Sequence, residues 1–150
     1  MSGPRYAELQ VTSHFSFLRG ASSCEELFAT AATMGVEALA VVDRNSLAGV
    51  VRAHEAAKAT GLRLVVGCRL DLADGMSVLV YPTDRSAYAR LCRLLSLGKG
   101  RAGKAKCHLE WSDVVAYGEG LIAVLCRTLP MRPAPCSCAG CGSPLAIAPI

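Results

Sequence analysis

Asp43 and Arg44 are the residues of this sequence best placed to do chemistry. They close the run Ala38-Leu-Ala-Val-Val42 and lead into a polar turn, Arg44 to Ser46, after which a helix-like pattern begins. Such a run reads as a buried strand followed by the first turn of a crossover helix. In α/β proteins chemistry collects at strand C-terminal ends. Two other strand tips are expected beside this one. Tyr6 to Ser13 alternates, with Leu9 and Val11 on one face and Glu8, Gln10 and Thr12 on the other. Leu62 to Leu70 ends on Cys68 and Arg69. If these strands run parallel, their tips form one polar patch of mixed charge. A divalent cation needs His, Asp or Glu donors there, and two arginines repel it. We therefore assign no metal ligands, no cofactor and no catalytic residue.

Other motifs carry less. Gly98-Lys-Gly-Arg-Ala-Gly103-Lys104-Ala105 matches G-x-x-x-x-G-K, but Ala105 stands where a phosphate-binding loop needs Ser or Thr for magnesium. The loop is also expected to leave a helix rather than join a strand to one. Cys136, Cys138 and Cys141 supply three thiolates without a fourth ligand that spacing selects, although Cys126 or His108 could serve. His14, His54 and His108 form no His-x-His or His-x-x-x-His pair. His14 follows a strand tip, but the sequence does not support it as a base.

The formal net charge is +4. Arg85 to Cys107 contains no acidic residue yet holds Arg85, Arg90, Arg93, Lys99, Arg101, Lys104 and Lys106. A one-signed segment suits an anionic partner such as nucleic acid, and equally a solvated helix face with a loop. Apolar residues make up 52% of the chain and charged residues 19%, a globular balance in a chain of 150 residues, long enough for one core. No apolar run reaches the length of a membrane span, and the first residues lack the apolar core of a secretory signal. A cytoplasmic location with reduced thiols is expected, with Cys68 and Cys92 as small core residues.

The elements that must position these groups follow from period and punctuation. The expected order is β-α-β-α-β-β-α-loop-α-β. A capping box at Ser22 to Glu25 starts the first helix, with Leu27, Phe28 and Ala31 as its buried stripe and Gly35 as its end. Ser46 caps the second, which runs through Val50, Val51, His54 and Ala57 to Gly61. Asp74-Gly75 turns a hairpin. Thr83 or Asp84 caps a third helix that Gly98 closes, and Gly98 to Lys106 is a basic loop. Trp111 to Tyr117 is a short helix and Gly120 to Leu125 the last strand. Strands alternating with crossover helices imply an α/β fold with mainly parallel strands. Thr128 to Ile150 is rich in proline and cysteine, lacks acidic residues and has no usable period. We divide the chain into a domain at 1–127 and an irregular, disordered tail at 128–150.

Four stretches together carry a family resemblance: Glu8 to Ser16, Ala40 to Val50, Leu64 to Leu70 and Lys106 to Leu109. The chain resembles the N-terminal PHP (polymerase and histidinol phosphatase) domain of bacterial C-family DNA polymerases, most of all the error-prone type. The resemblance runs from Tyr6 to Leu125 and implies a partial, distorted (β/α) barrel. Metal-binding members carry His-x-His where this chain has Gln10 and Thr12, Asp-His where it has Asp43 and Arg44, and Gly-x-Glu where it has Gly67-Cys68-Arg69. The histidines of the first two motifs and the glutamate of the third are replaced, so the resemblance implies a degenerate site at Glu8, Gln10, Thr12, Asp43, Arg44 and Arg69. We expect Arg44 and Arg69 to pair with Glu8 and Asp43 and so join the strand tips without metal.

The polymerase palm of that family lies downstream of the matching region, so a non-catalytic, structural role is expected. The setting would be damage-induced mutagenesis and translesion synthesis. The implied partners are the remainder of the polymerase, DNA and damage-response co-factors, with the basic segment touching one of the first two. The alternatives are a metal-dependent PHP phosphoesterase using Glu8, Asp43 and His14, and an interaction protein working through its cysteine tail. An incomplete barrel leaves strand edges unpaired, and the tail is expected to be read out of the polymerase frame.

Overall fold

The computed structural model describes residues 5–126. The tail and its cysteine cluster, and the domain division after residue 127, lie outside them. The elements are β1 (Ala7–Val11), α1 (Cys24–Thr33), β2 (Ala38–Arg44), α2 (Val50–Thr60), β3 (Arg63–Asp71), β4 (Ser77–Pro82), α3 (Arg85–Arg101), α4 (Trp111–Ala116) and β5 (Leu121–Cys126). The strands lie in sequence order in one five-stranded sheet. β1, β2 and β3 run parallel; β3, β4 and β5 are antiparallel neighbours. The parallel half is made by crossover helices, and the antiparallel half starts at the Asp74-Gly75 hairpin, where Gly75 takes φ 86°.

Pairing register sorts the side chains onto two faces. Leu39, Val41, Cys68, Leu70, Val78 and Val80 point to the helix side. There Phe28, Ala31, Ala53, Ala56 and Ala57 of α1 and α2 cover β2, while Leu91, Leu94 and Leu95 of α3 cover β3 and β4. The other face carries Ala40, Val42, Leu79 and Tyr81. The sheet curls around that inner face as a half-barrel: the Tyr81 hydroxyl on β4 donates to the Leu9 carbonyl on β1, 2.7 Å away. Gly67 makes room for this, since a Cβ there would lie 2.7 Å from Val42 Cγ1 and 2.8 Å from the Tyr81 ring.

Several boundaries differ from the sequence reading for local reasons. The capping box of α1 is Ser23 with Glu26, one residue later than expected: the Glu26 amide donates to Ser23 Oγ and the Ser23 amide to Glu26 Oε2. Leu27 is only half-buried. Ser46 does not cap α2; its Oγ accepts from the Ala48 amide in a turn, and the helix starts after Gly49. Val51 and His54 face solvent, so the buried stripe of α2 is made of alanines. Cys92 is half-buried rather than core.

Gly98 does not end α3. The helix continues to Arg101, and Gly98 is buried against Leu109 and Cys107, where a Cβ would lie 2.6 Å from Leu109 Cδ2. The sequence shows a helix-breaking residue; the fold uses it as a close-approach site for the segment leading to α4.

Candidate functional site

The C-terminal ends of β2 and β3 carry two separate carboxylate centres. Asp43 follows Val41 on the helix side and is 2% exposed. Its Oδ1 accepts from the Ser13 amide (2.9 Å) and Ser16 Oγ (2.7 Å), and its Oδ2 from Ser13 Oγ (2.8 Å). Ser16 Oγ also accepts from the Arg44 amide, and Ser13 Oγ from the Phe15 amide. Asp43 is therefore the anchor of the β1–α1 loop. Gly49 closes over it, with room for no side chain: a Cβ would lie 3.0 Å from Asp43 Oδ2 and 2.9 Å from Phe15 Cδ2.

The second centre lies on the inner face. Arg44 and Arg69 are register partners and both pair with Asp71, Arg69 Nε at 3.0 Å from Oδ1 and Arg44 through Oδ2. Ser77, opposite Asp71 across the hairpin, donates to Asp71 Oδ1 at 2.7 Å and accepts from Arg69 at 3.0 Å. The Asp71 amide donates to Asn45 Oδ1. Burial is the largest influence on the Asp71 carboxyl and pushes it up, but the Ser77 hydroxyl and the Arg69 and Arg44 guanidiniums together outweigh it and hold it below its usual range. One carboxylate and two guanidiniums leave this patch cationic.

Of the six strand-tip residues picked from sequence, the structure brings Arg44 and Arg69 together and leaves the others apart. The expected pairing of these arginines with Glu8 and Asp43 is not what forms. Asp43 points to the opposite face and is filled by serine donors. Glu8 accepts from the Tyr6 hydroxyl (2.6 Å) and the Gln10 amide (2.9 Å), and the Tyr6 bond holds its carboxyl below the usual range. A register irregularity between Glu8 and Val11 breaks the alternation of β1. Glu8 and Val11 consequently line the same small cleft under α1. Gln10 is exposed and Thr12 half-buried. His14 places Nδ1 3.2 Å from the Ser22 carbonyl and its ring against Phe15. Glu8, Asp43 and His14 thus do not converge as a hydrolytic set would require.

Sequence reasoning missed Asp71, Ser77, Ser13 and Ser16. The first two were within reach: Arg69-x-Asp71 puts both side chains on one face of a strand, and counting back from the Asp74-Gly75 turn sets Ser77 opposite Asp71. The serines could not be found that way, because their partner is 27 to 30 residues distant in sequence.

The basic segment is split. Arg90 donates to the Glu119 carbonyl and Arg101 to Asp113, at 2.8 Å and 2.6 Å. Arg85 and Arg93 sit on exposed turns of α3. Lys99, Lys104 and Lys106 instead line a cleft of about 1160 Å³ together with Arg19 and Arg44.

The PHP domain pattern matches residues 8–141. The chain belongs to the PHP family. It is 71% identical over 129 residues to error-prone DNA polymerase 1 of Agrobacterium fabrum, covering 86% of this chain and 12% of that protein. It is 76% identical over 121 residues to error-prone DNA polymerase 2 of Rhizobium meliloti, covering 81% of this chain and 11% of that one. The chain therefore spans about an eighth of the curated relatives it matches, and the match falls in their PHP region. Among solved structures, an amidohydrolase from Chromobacterium violaceum superposes with a TM-score of 0.53 at 25% identity, over 63% of this chain and 34% of that one. A Bifidobacterium adolescentis protein, provisionally a metal-dependent phosphoesterase, gives 0.54 at 19% identity over 75% and 43%, a likeness of fold.

These findings bear out the partial PHP barrel and the error-prone polymerase resemblance. The donor set at the strand tips does not fit a divalent cation. Arg44 and Arg69 flank the one carboxylate on the inner face, and among the described residues no three His, Cys, Asp or Glu side chains converge.

Proposed function

We propose that the chain is the non-hydrolytic PHP unit of an error-prone DNA polymerase, with a structural role in damage-induced mutagenesis and translesion synthesis. The observation that carries this reading is the Arg44–Asp71–Arg69 cluster. It puts cationic side chains at the strand tips and uses them to tie β2 to β3 and β4. Its proposed partners are the remainder of the polymerase, DNA and damage-response co-factors. Its proposed location is the cytoplasm; among the described residues no helix is long and apolar enough to cross a membrane. The domain boundary at residue 127 is part of the proposal, and the family match itself runs on to residue 141. The degenerate site comprises Glu8, Gln10, Thr12, Asp43, Arg44 and Arg69, with Asp71 and Ser77 added as the groups that hold the two arginines.

The test is elemental analysis of the chain after incubation with zinc and manganese, beside turnover of a generic phosphodiester. The expected result is turnover at background and no stoichiometric metal in a variant with Cys136, Cys138 and Cys141 changed to Ala. Stoichiometric metal retained by that variant, or metal-dependent turnover, overturns the proposal.

A further inference from the structure

The large cleft beside the strand tips is built from two loops, and neither belongs to the degenerate site. One wall is the β1–α1 loop, which presents Phe17 and Leu18 to solvent at 84% and 88% exposure. The other is the segment following α3, which presents Lys104 and Lys106, with Lys99 at the helix end. Arg19 and Arg44 complete the lining, and no carboxylate takes part in it. Among the described residues Arg19, Lys99, Lys104 and Lys106 form no ion pair, while Arg44 shares Asp71 with Arg69.

Two features show that these walls are held in shape. The Phe17–Leu18 tip is fixed from below: Ser16 Oγ donates to buried Asp43, and the Arg19 and Gly20 amides both donate to the Ser16 carbonyl. A large aromatic side chain is thus offered to water by a loop whose base is anchored to a buried carboxylate. Secondly, the three non-glycine residues with left-handed backbone among the described residues, Leu18 (φ 60°), Asn45 (φ 47°) and Ala105 (φ 64°), all line this cleft. Such backbone is costly for a leucine or an alanine and gathers at binding sites.

We propose that this cleft binds single-stranded nucleic acid, with Phe17 as a stacking platform and Arg19, Lys99, Lys104 and Lys106 as phosphate contacts. The chemistry is that of strand-tracking grooves: unpaired cations follow the backbone while an exposed ring stacks on a base that is free of a duplex. The volume exceeds the roughly 300–1000 Å³ of small-molecule pockets, and the cleft opens to solvent rather than being enclosed. The choice of ligand rests on the reading of the chain as part of a DNA polymerase. The placement of the contact does not, and it moves the nucleic-acid site away from the N-terminal part of α3. Arg85 stands 14 residues before Lys99 on that helix, about 21 Å along its axis, and lies outside the cleft.

The test is fluorescence anisotropy of a labelled oligothymidylate titrated with the full chain over a series of salt concentrations, beside a duplex of the same length. Single strand is expected to bind tighter than duplex. Phe17→Ala should weaken it on the order of tenfold; Phe17 is exposed, so the fold is kept, and circular dichroism checks this. Lys104→Ala with Lys106→Ala should lower the slope of log K against log salt by about 1.4. Arg85→Ala with Arg93→Ala should change affinity by less than about twofold. Duplex affinity equal to single-strand affinity and insensitive to Phe17 overturns the proposal. So does an Arg85/Arg93 loss as large as the lysine loss, or preferential binding of an acidic peptide. Absence of binding sinks the cleft and leaves the structural reading standing; binding with metal-dependent cleavage of the strand sinks the structural reading and leaves the cleft.

Discussion

Asp43 and Asp71 sit at the same end of the same sheet, and the fold treats them in opposite ways. Asp43 is sealed beneath Gly49 and meets only neutral donors, two serine hydroxyls and an amide. Asp71 lies on the inner face, hydrogen-bonded by Ser77 and flanked by two guanidiniums. The first carboxylate shapes a loop, and the second neutralises part of a cationic patch. Proximity to a strand tip is thus no sign of chemistry by itself. What the carboxylate touches decides its role, and here neither centre offers an open coordination position with acidic or imidazole neighbours.

Deletion of the buried carboxylate has the largest expected effect. Asp43→Ala leaves three donors without an acceptor in a site closed to water, and each orphan costs about 1–3 kcal/mol. The expected loss is about 3 kcal/mol or more, read as a fall in the urea midpoint. A loss below about 1 kcal/mol would mean the loop is not anchored there. Next comes Gly49→Ala. The φ of Gly49 is −80°, so the backbone accepts alanine, but the methyl collides with Phe15 and Asp43. Overpacking of about 1–3 kcal/mol is expected, and the variant should also weaken whatever the Phe17 loop binds. Stability equal to the parent would show that the lid over Asp43 is loose.

Much of the fold that carries the two carboxylates is legible in the sequence. The apolar run into Asp43 predicts β2, Gly61 closes α2 in the left-handed conformation expected of it, and Asp74-Gly75 places the hairpin. These signals are local: an apolar run, a cap, a turn dipeptide. The misreadings are contacts between segments distant in sequence. Gly98 looks like a helix stop until Leu109 is seen packed on it. Glu8 looks like a strand-tip partner for arginine until the irregularity in β1 turns it beneath α1. Lys104 and Lys106 look continuous with Arg85 and Arg93 until the chain leaves α3 and folds them towards Phe17. That two arginines end neighbouring strands was legible, because the parallel pairing of β2 with β3 sets Arg44 beside Arg69. The partner of the two arginines was not, because the choice among Glu8, Asp43 and Asp71 depends on which face each occupies.

Removing the less deeply buried member of the pair should cost less. Asp71→Ala leaves Arg44 and Arg69 facing one another without a carboxylate and deprives Ser77 of its acceptor. Arg44 is nearly half-exposed, so water recovers part of the loss. About 1–2 kcal/mol is expected, well under the Asp43 value. A larger loss for Asp71→Ala than for Asp43→Ala would reverse the roles assigned to the two centres.

Acid titration gives the smallest effect and the sharpest separation. Asp71 has its folded pKa held below the usual carboxylate value by Ser77, Arg69 and Arg44 acting against burial. A carboxyl with a depressed folded pKa binds protons more readily in the unfolded chain. Its contribution is therefore complete above the unfolded value of about 3.9 and is lost as pH falls through the folded one. The parent protein should lose stability over this acid window, and Asp71→Asn should lose less of it, the two curves drawing together once the pH is below the folded value. Arg44→Ala should shift the window upward slightly, because one of the charges holding the carboxyl ionised is gone. Urea unfolding midpoints at intervals from about pH 6 to 2.5 measure this directly. Parallel curves for parent and Asp71→Asn across the window would show that the two arginines hold the strand tips by geometry alone, with no contribution from the ionised carboxyl.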